Sequence, residues 1–202
     1  EKRACTSMGV CDPFRFDELP QVKTRVYHFA GLVYGDFDGA LLAEAAKHGK
    51  VGLDVQCMLR HVEPDKSMAF HDWAEKKELL PLMDYFKTDA AEAEVLTGLT
   101  DRAEAAKVLH DWGAKEVVIT HNTEVLAYDG DKNYTCPIKA RNLSGRTGRG
   151  DTTFAGYIAE RQRAGVEEAL NFCTALVSLK METPGPFKGT REDVLAYMKE
   201  FY

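Results

Sequence analysis

The sequence predicts an α/β domain with a mainly parallel central sheet and helices on its faces. Two observations predict it. Short apolar runs of strand length take turns with longer runs of helical spacing, and this alternation holds from Arg25 to Thr120. The chain has 202 residues with 45% hydrophobic side chains, enough to bury a sizeable core. In such a sheet, ligands bind beyond the carboxyl ends of the strands.

Taken in order, RVYHFAGLV (Arg25 to Val33) is a short apolar run ending at glycine, which suits a buried strand. FDGALLAEAAKHG (Phe37 to Gly49) then has helical spacing, and VGLDVQ (Val51 to Gln56) is the next strand. RHVEPDKS is expected to be a loop leading into a helix around Met68 to Leu80. MDYFK (Met83 to Lys87) reads as a third strand, Ala90 to Leu96 and Arg102 to Trp112 as helices, and KEVVIT (Lys115 to Thr120) as the best-defined buried strand. After Thr120 the rhythm changes: EVLAYDG and KNYTCPIKA predict a hairpin turning at Gly130. Three helices follow, over Thr152 to Ala164, Val166 to Leu179 and Arg191 to Phe201. RACTSMGV near the start reads as an isolated strand whose partner lies outside the visible chain, and DPFRFDELPQV as irregular.

Composition narrows the function classes. Lys and Arg number 26 against 32 Asp and Glu, a net charge of −6 without a long basic run, so a nucleic-acid partner is not expected. Five scattered cysteines, none in a C-x-x-C pair, read as reduced thiols of a cytoplasmic protein rather than a disulfide framework or zinc site. No apolar run has membrane-span length and no signal-peptide pattern opens the chain, so no membrane partner is expected. The chain starts at Glu1, as a processed, trimmed or partial chain would. The six histidines have no metal spacing. Trp73 and Trp112 are expected on helices as core or shielding residues, and AEKKE as a solvated helical face.

GRTGRGDTTFAGY (Gly145 to Tyr157) carries the chemistry. Glycines just ahead of a helix let the backbone amides of Gly148, Arg149, Gly150 and Asp151 point to one spot at the positive end of the helix, where an anion is held. Asp151 has two readings. It is a base that accepts a proton from an attacking alcohol, or the N-cap of the helix beginning near Thr152. KTDAAEAEVLTG (Lys87 to Gly98) has the same ambiguity, because Asp89 and Glu92 have capping-box spacing and are also suited to holding the water shell of magnesium.

Gly148, Gly150 and Asp151, with Thr147 before and Thr152 to Gly156 after, resemble the Gly-Ala-Gly-Asp signature of the ribokinase-like (PfkB-type) carbohydrate kinase family. Asp89 to Gly98 resembles its Asn-x-x-Glu segment. The resemblance implies a ribokinase-like fold lacking the family's N-terminal part. Residues 1–24 would be a lid-strand remnant and irregular segment, and residues 25–202 the α/β nucleotide-binding and catalytic domain. It also implies ATP-dependent phosphoryl transfer, with Mg2+, to a hydroxyl of a small sugar or sugar-like alcohol.

By resemblance, Asp151 is the catalytic base, Gly148, Arg149 and Gly150 form the anion hole, and Asp89 and Glu92 support magnesium and phosphates. Thr120, Asn122, Thr147 and Ala175 would lie beside the nucleotide. LDVQCMLR is similar to an Asp-x-Asn-x-x-x-Arg stretch of some sugar-acid kinases and places Asp54 and Arg60 near substrate or phosphate. Gly145 stands where many relatives have an aspartate associated with a monovalent cation, so the resemblance does not extend to a K+ requirement. Arg149 replaces a small residue, and its guanidinium either adds charge to the anion hole or turns outward. Together with Asn122 and Val125 in place of loop glycines, it favours an alternative, a non-catalytic nucleotide-binding or regulatory relative; retention of Asp151 argues against that. With the usual acceptor-choosing residues absent, the chain alone is expected to bind ATP or ADP weakly, to phosphorylate sugars poorly, and to expose a sheet edge prone to association, a homodimer being one form.

Overall fold

The computed structural model describes residues 5–20 and 22–202. The elements are β1 (Val26–Phe29), α1 (Gly39–His48), β2 (Lys50–Asp54), α2 (Gln56–Leu59), β3 (Arg60–Val62), β4 (Met68–Phe70), α3 (Lys76–Leu79), β5 (Tyr85–Asp89) and α4 (Ala90–Thr97). Then come α5 (Arg102–Asp111), β6 (Glu116–Thr120), β7 (Glu124–Tyr128), β8 (Asn133–Pro137), α6 (Arg149–Arg161), α7 (Val166–Met181) and α8 (Arg191–Phe201).

Six strands form one sheet in the order β1-β2-β5-β6-β7-β8. The first four are parallel, and β7 and β8 close it as an antiparallel hairpin. Alternation along β6 separates two cores. Val117 and Ile119 join Leu41 and Leu42 of α1, Ala93 of α4 and Leu109 of α5 on one face. Val118 joins Phe154, Tyr157, Leu170 and Cys173 of α6 and α7 on the other. A third cluster, with Phe172, Ala175, Val194 and Tyr197, seats α8 against α7. Helices therefore cover both faces, which is why the buried strands carry apolar side chains in succession.

The segment after β2 departs from the expected loop and helix. Arg60–Val62 and Met68–Phe70 pair as an antiparallel hairpin, and only Lys76–Leu79 is α-helical, followed by one 3-10 turn over Leu80–Leu82. Turn chemistry decides this. Asp65 accepts from Ser67 N at 2.9 Å, and Lys66 adopts a positive φ of 68°, which reverses the chain and pairs the flanking backbone. Trp73 consequently lies between elements rather than on a helix, yet is buried. Thr6 bridges Ser67, so the expected first strand is reduced to one bridge; Arg3 and Ala4 lie outside the described residues. Phe16–Glu18 adds one 3-10 turn to the expected irregular stretch.

β1 forms an edge of the sheet beside an apolar groove of about 630 Å³ walled by Phe14, Leu19, Val22 and Phe29. Among the described residues no helix is long and apolar enough to cross a membrane. The five cysteines are free; Cys57, Cys136 and Cys173 are buried.

Candidate active site

Helix α6 begins three residues earlier than its sequence suggests. Gly148 is its N-cap, in the left-handed conformation at φ 78°, a backbone that side-chain-bearing residues rarely adopt. The first intrahelical bond runs from Thr152 N to Gly148 O at 3.0 Å. The amides of Arg149, Gly150 and Asp151 therefore have no partner within the helix. No side chain caps this end, and Asp151 is the third helical residue, so it is not the N-cap. Its exposed carboxylate stays at the positive end of the helix.

A cavity of about 620 Å³ opens in front of these amides. Its floor is formed where parallel strands end: Asp54 closes β2, Asp89 closes β5 and Thr120 closes β6. Arg60, Arg146, Thr147 and Arg149 line it as well. The topology thus gathers residues far apart in sequence at the carboxyl edge of the sheet.

Lys87 was not singled out in the sequence, although a lysine inside the apolar strand MDYFK was a signal. It is only 4% exposed, and Nζ donates to both oxygens of Asp54, at 3.0 and 2.9 Å. Glu92 Oε2 lies 3.9 Å away. Desolvation pulls the Lys87 pKa down, but Glu92 and Asp54 outweigh it and the net shift is upward. A buried ammonium is held here by carboxylates, whose loss would leave it uncompensated. It also packs under the loop, since a Cβ on Gly150 would come within 3.1 Å of Nζ.

Asp89 and Glu92 form a reciprocal capping box on α4: Asp89 Oδ1 accepts from Glu92 N at 2.9 Å, and Glu92 Oε2 accepts from Asp89 N at 2.7 Å. Asp89 lines the cavity, whereas Glu92 is buried behind it at 2% exposure. Burial raises the Glu92 pKa to about 7, against the opposing pull of Lys87. Among the described residues no three His, Cys, Asp or Glu side chains converge on a metal position. The residues present suit a magnesium ion that arrives with a polyphosphate and keeps its waters: of the three aspartates that line the cavity, Asp54 is taken up by Lys87, which leaves Asp89 and Asp151.

Arg149 does not turn out to solvent: its Nη1 donates to Asn122 Oδ1 at 2.7 Å, fixing the guanidinium along the cavity wall. Desolvation, then Arg146, lowers its pKa. Arg60 lines the cavity with its guanidinium held by Gln56 Oε1 at 2.9 Å. Ala175 is placed elsewhere, fully buried between α7 and α8 and absent from this cavity. His28 on β1, also not foreseen, sets its ring edge-on to Phe154; desolvation lowers its pKa while Asp54 and Asp151 act to raise it.

Comparison with known proteins gives the family of the fold. A stretch of 90 residues is 37% identical to a cytidine kinase of Thermococcus kodakarensis, covering 43% of this chain and about a third (32%) of that protein. A solved pyrophosphate-dependent kinase of the ribokinase family, complexed with a pyrophosphate analog and myo-inositol, superposes with a TM-score of 0.89 at 32% identity, over 96% of this chain and 70% of that one. The fold is shared with Arabidopsis thaliana ribokinase complexed with ribose and ATP, at a TM-score of 0.69 and 22% identity, over 86% of this chain and 55% of that one. A family model for pfkB carbohydrate kinases matches residues 12–192, nearly the whole length, and the chain belongs to that family.

Proposed function

We propose that the cavity before α6 transfers a phosphoryl group to a hydroxyl of a sugar or sugar-like alcohol. The observation that carries this reading is the uncapped N-terminus of α6 with a carboxylate beside it that is not spent on capping. Asp151 accepts the hydroxyl proton as the new O–P bond forms and the bond to the leaving phosphate breaks. The amides of Arg149, Gly150 and Asp151 take up charge on the transferred group. Gly148 supplies the turn that aims them. A bound magnesium ion would offset donor charge, with Asp89 beside its waters and Glu92 fixing Asp89 from behind. Asp54 and Arg60 form the acceptor side of the cavity. Thr120 and Thr147 border the donor side, and Asn122 reaches it through Arg149. Against the non-catalytic alternative stands Asp151, a carboxylate kept beside the uncapped amides and not used as the cap.

ATP is the donor that the family resemblance favours. A second donor, inorganic pyrophosphate, is favoured by a specific observation: Arg60, Arg146 and Arg149 converge on one cavity, and the similar kinase of known structure is pyrophosphate-dependent. Calorimetry with ATP and with pyrophosphate, each with magnesium, beside a donor-consumption assay over a panel of sugars, polyols and nucleosides, tests the reading. Binding of one donor with hydroxyl-dependent turnover, abolished by Asp151→Asn, is the expected result. Absence of binding by both donors overturns it.

A further inference from the structure

A second buried lysine approaches the anion loop, near Gly148 where Lys87 approaches Gly150. Lys180, in the last turn of α7, is 3% exposed. Its Nζ donates to Gly145 O at 2.6 Å and to Thr147 O. Among the described residues it forms no ion pair, so its direct contacts are with carbonyl dipoles. A Cβ on Gly148 would lie 4.0 Å from this ammonium and 3.9 Å from Asp151 Oδ2, which places the ammonium close to the N-cap of α6.

The surrounding loop is fastened to the end of α7. Gly145 N donates to Met181 O at 2.7 Å, and Ser144 Oγ donates to Glu182 O at 2.7 Å. A Cβ at Gly145 would fall 1.9 Å from Thr183 O, so only glycine permits this approach. Gly145 therefore brings the loop close enough for Lys180 to reach two of its carbonyls. Burying an ammonium without a carboxylate in contact is costly, and carbonyls offset only part of that cost. An anion bound at the loop adds counter-charge through a medium of low dielectric.

We propose that Lys180 is the resident cation of the phosphoryl site. It is a positioning residue that holds the carbonyls of Gly145 and Thr147 inward, keeps the α6 amides facing the cavity, and adds fixed positive charge behind the bound anion. The role rests on the phosphoryl-transfer reading above. It predicts that donor binding draws on this tethered ammonium and not on a dissolved monovalent cation.

The test titrates inorganic pyrophosphate into the 202-residue chain by calorimetry, with tetramethylammonium as the only monovalent cation and then with potassium or ammonium added; thermal unfolding is followed in parallel. Wild type is expected to bind equally in all three. Lys180→Met is expected to bind about tenfold more weakly or worse, as for an anion deprived of a buried partner, and to recover part of the loss in ammonium or potassium. Lys180→Arg is expected to retain most of the affinity without that recovery. Unchanged affinity in Lys180→Met, or a loss that no cation restores in a variant that still folds, overturns the proposal. So does wild-type affinity that rises with potassium, an arm that remains decisive if Lys180→Met does not fold. A wild-type chain that binds neither pyrophosphate nor ATP overturns the phosphoryl-transfer reading and this role with it, whereas failure of the Lys180 arms alone leaves that reading standing.

Discussion

Two helix N-termini meet at this cavity, and their ends are finished in opposite ways. Helix α4 is closed by its own side chains, Asp89 and Glu92 each accepting a backbone amide of the other. Helix α6 opens at a left-handed glycine with no side-chain cap. In sequence the two looked alike, an acidic residue at a helix start that served either as cap or as chemistry. The structure separates them by backbone conformation. Asp89 is extended, at φ −95° and ψ 174°, the geometry in which a side chain folds back onto the next turn. Asp151 is already inside the first helical turn, where its carboxylate faces outward. A closed end locates a rigid wall; an open end leaves amides for an anion.

The largest effect is expected where the open end meets the chemistry. Asp151→Asn should preserve donor binding and folding while lowering turnover by about 10²- to 10⁴-fold, the usual worth of a positioned base. Steady-state kinetics beside calorimetry measures this, and near-normal turnover would remove Asp151 from the base role. Next in size, Gly148→Ala should cost about 1–2 kcal/mol, because the left-handed backbone crowds a Cβ. Denaturant unfolding reads the loss, and donor affinity should fall with it.

The closed end predicts a different signature. Asp89→Ala should cost about 1 kcal/mol through the lost cap, whereas Asp151→Ala should cost less, about 0.3–1 kcal/mol from the helix dipole. Equal losses in the two variants would erase the distinction between the helices. A further signature of the closed end is the pH response of Glu92. Its folded pKa is about 7 against an ordinary 4.5, so between those values the unfolded chain releases a proton that the folded chain keeps. Its contribution to stability is complete below the ordinary value and is lost as pH rises through about 7. Glu92→Gln, which retains most of the cap, should lack that decline when unfolding is measured across the range.

Legibility followed the range of the interactions. Helices α1, α4, α5, α7 and α8 and strands β5 to β8 were readable because periodicity and turn residues act over a few positions. The β3–β4 hairpin was missed because Asp65 and Lys66 turn the chain against the helical spacing around them. Asp151, Gly148 and Gly150 were legible as a group, being neighbours in the chain. Lys87 and Lys180 were not, because their significance lies in what folding brings to them: Asp54 from β2 for one, and the carbonyls of Gly145 and Thr147 for the other.

By itself the sequence determined the layered α/β architecture, the glycine-rich approach to α6 and the presence of a carboxylate beside it, all properties of local spacing. Tertiary structure decided which acidic residue caps and which does not, the retreat of Ala175 into the α7–α8 core and of Glu92 behind Asp89, and the placement of two buried lysines against the loop. The reason is physical. Capping and periodicity are settled among residues a turn apart, while burial and charge compensation depend on strands and helices that meet only when the sheet is assembled.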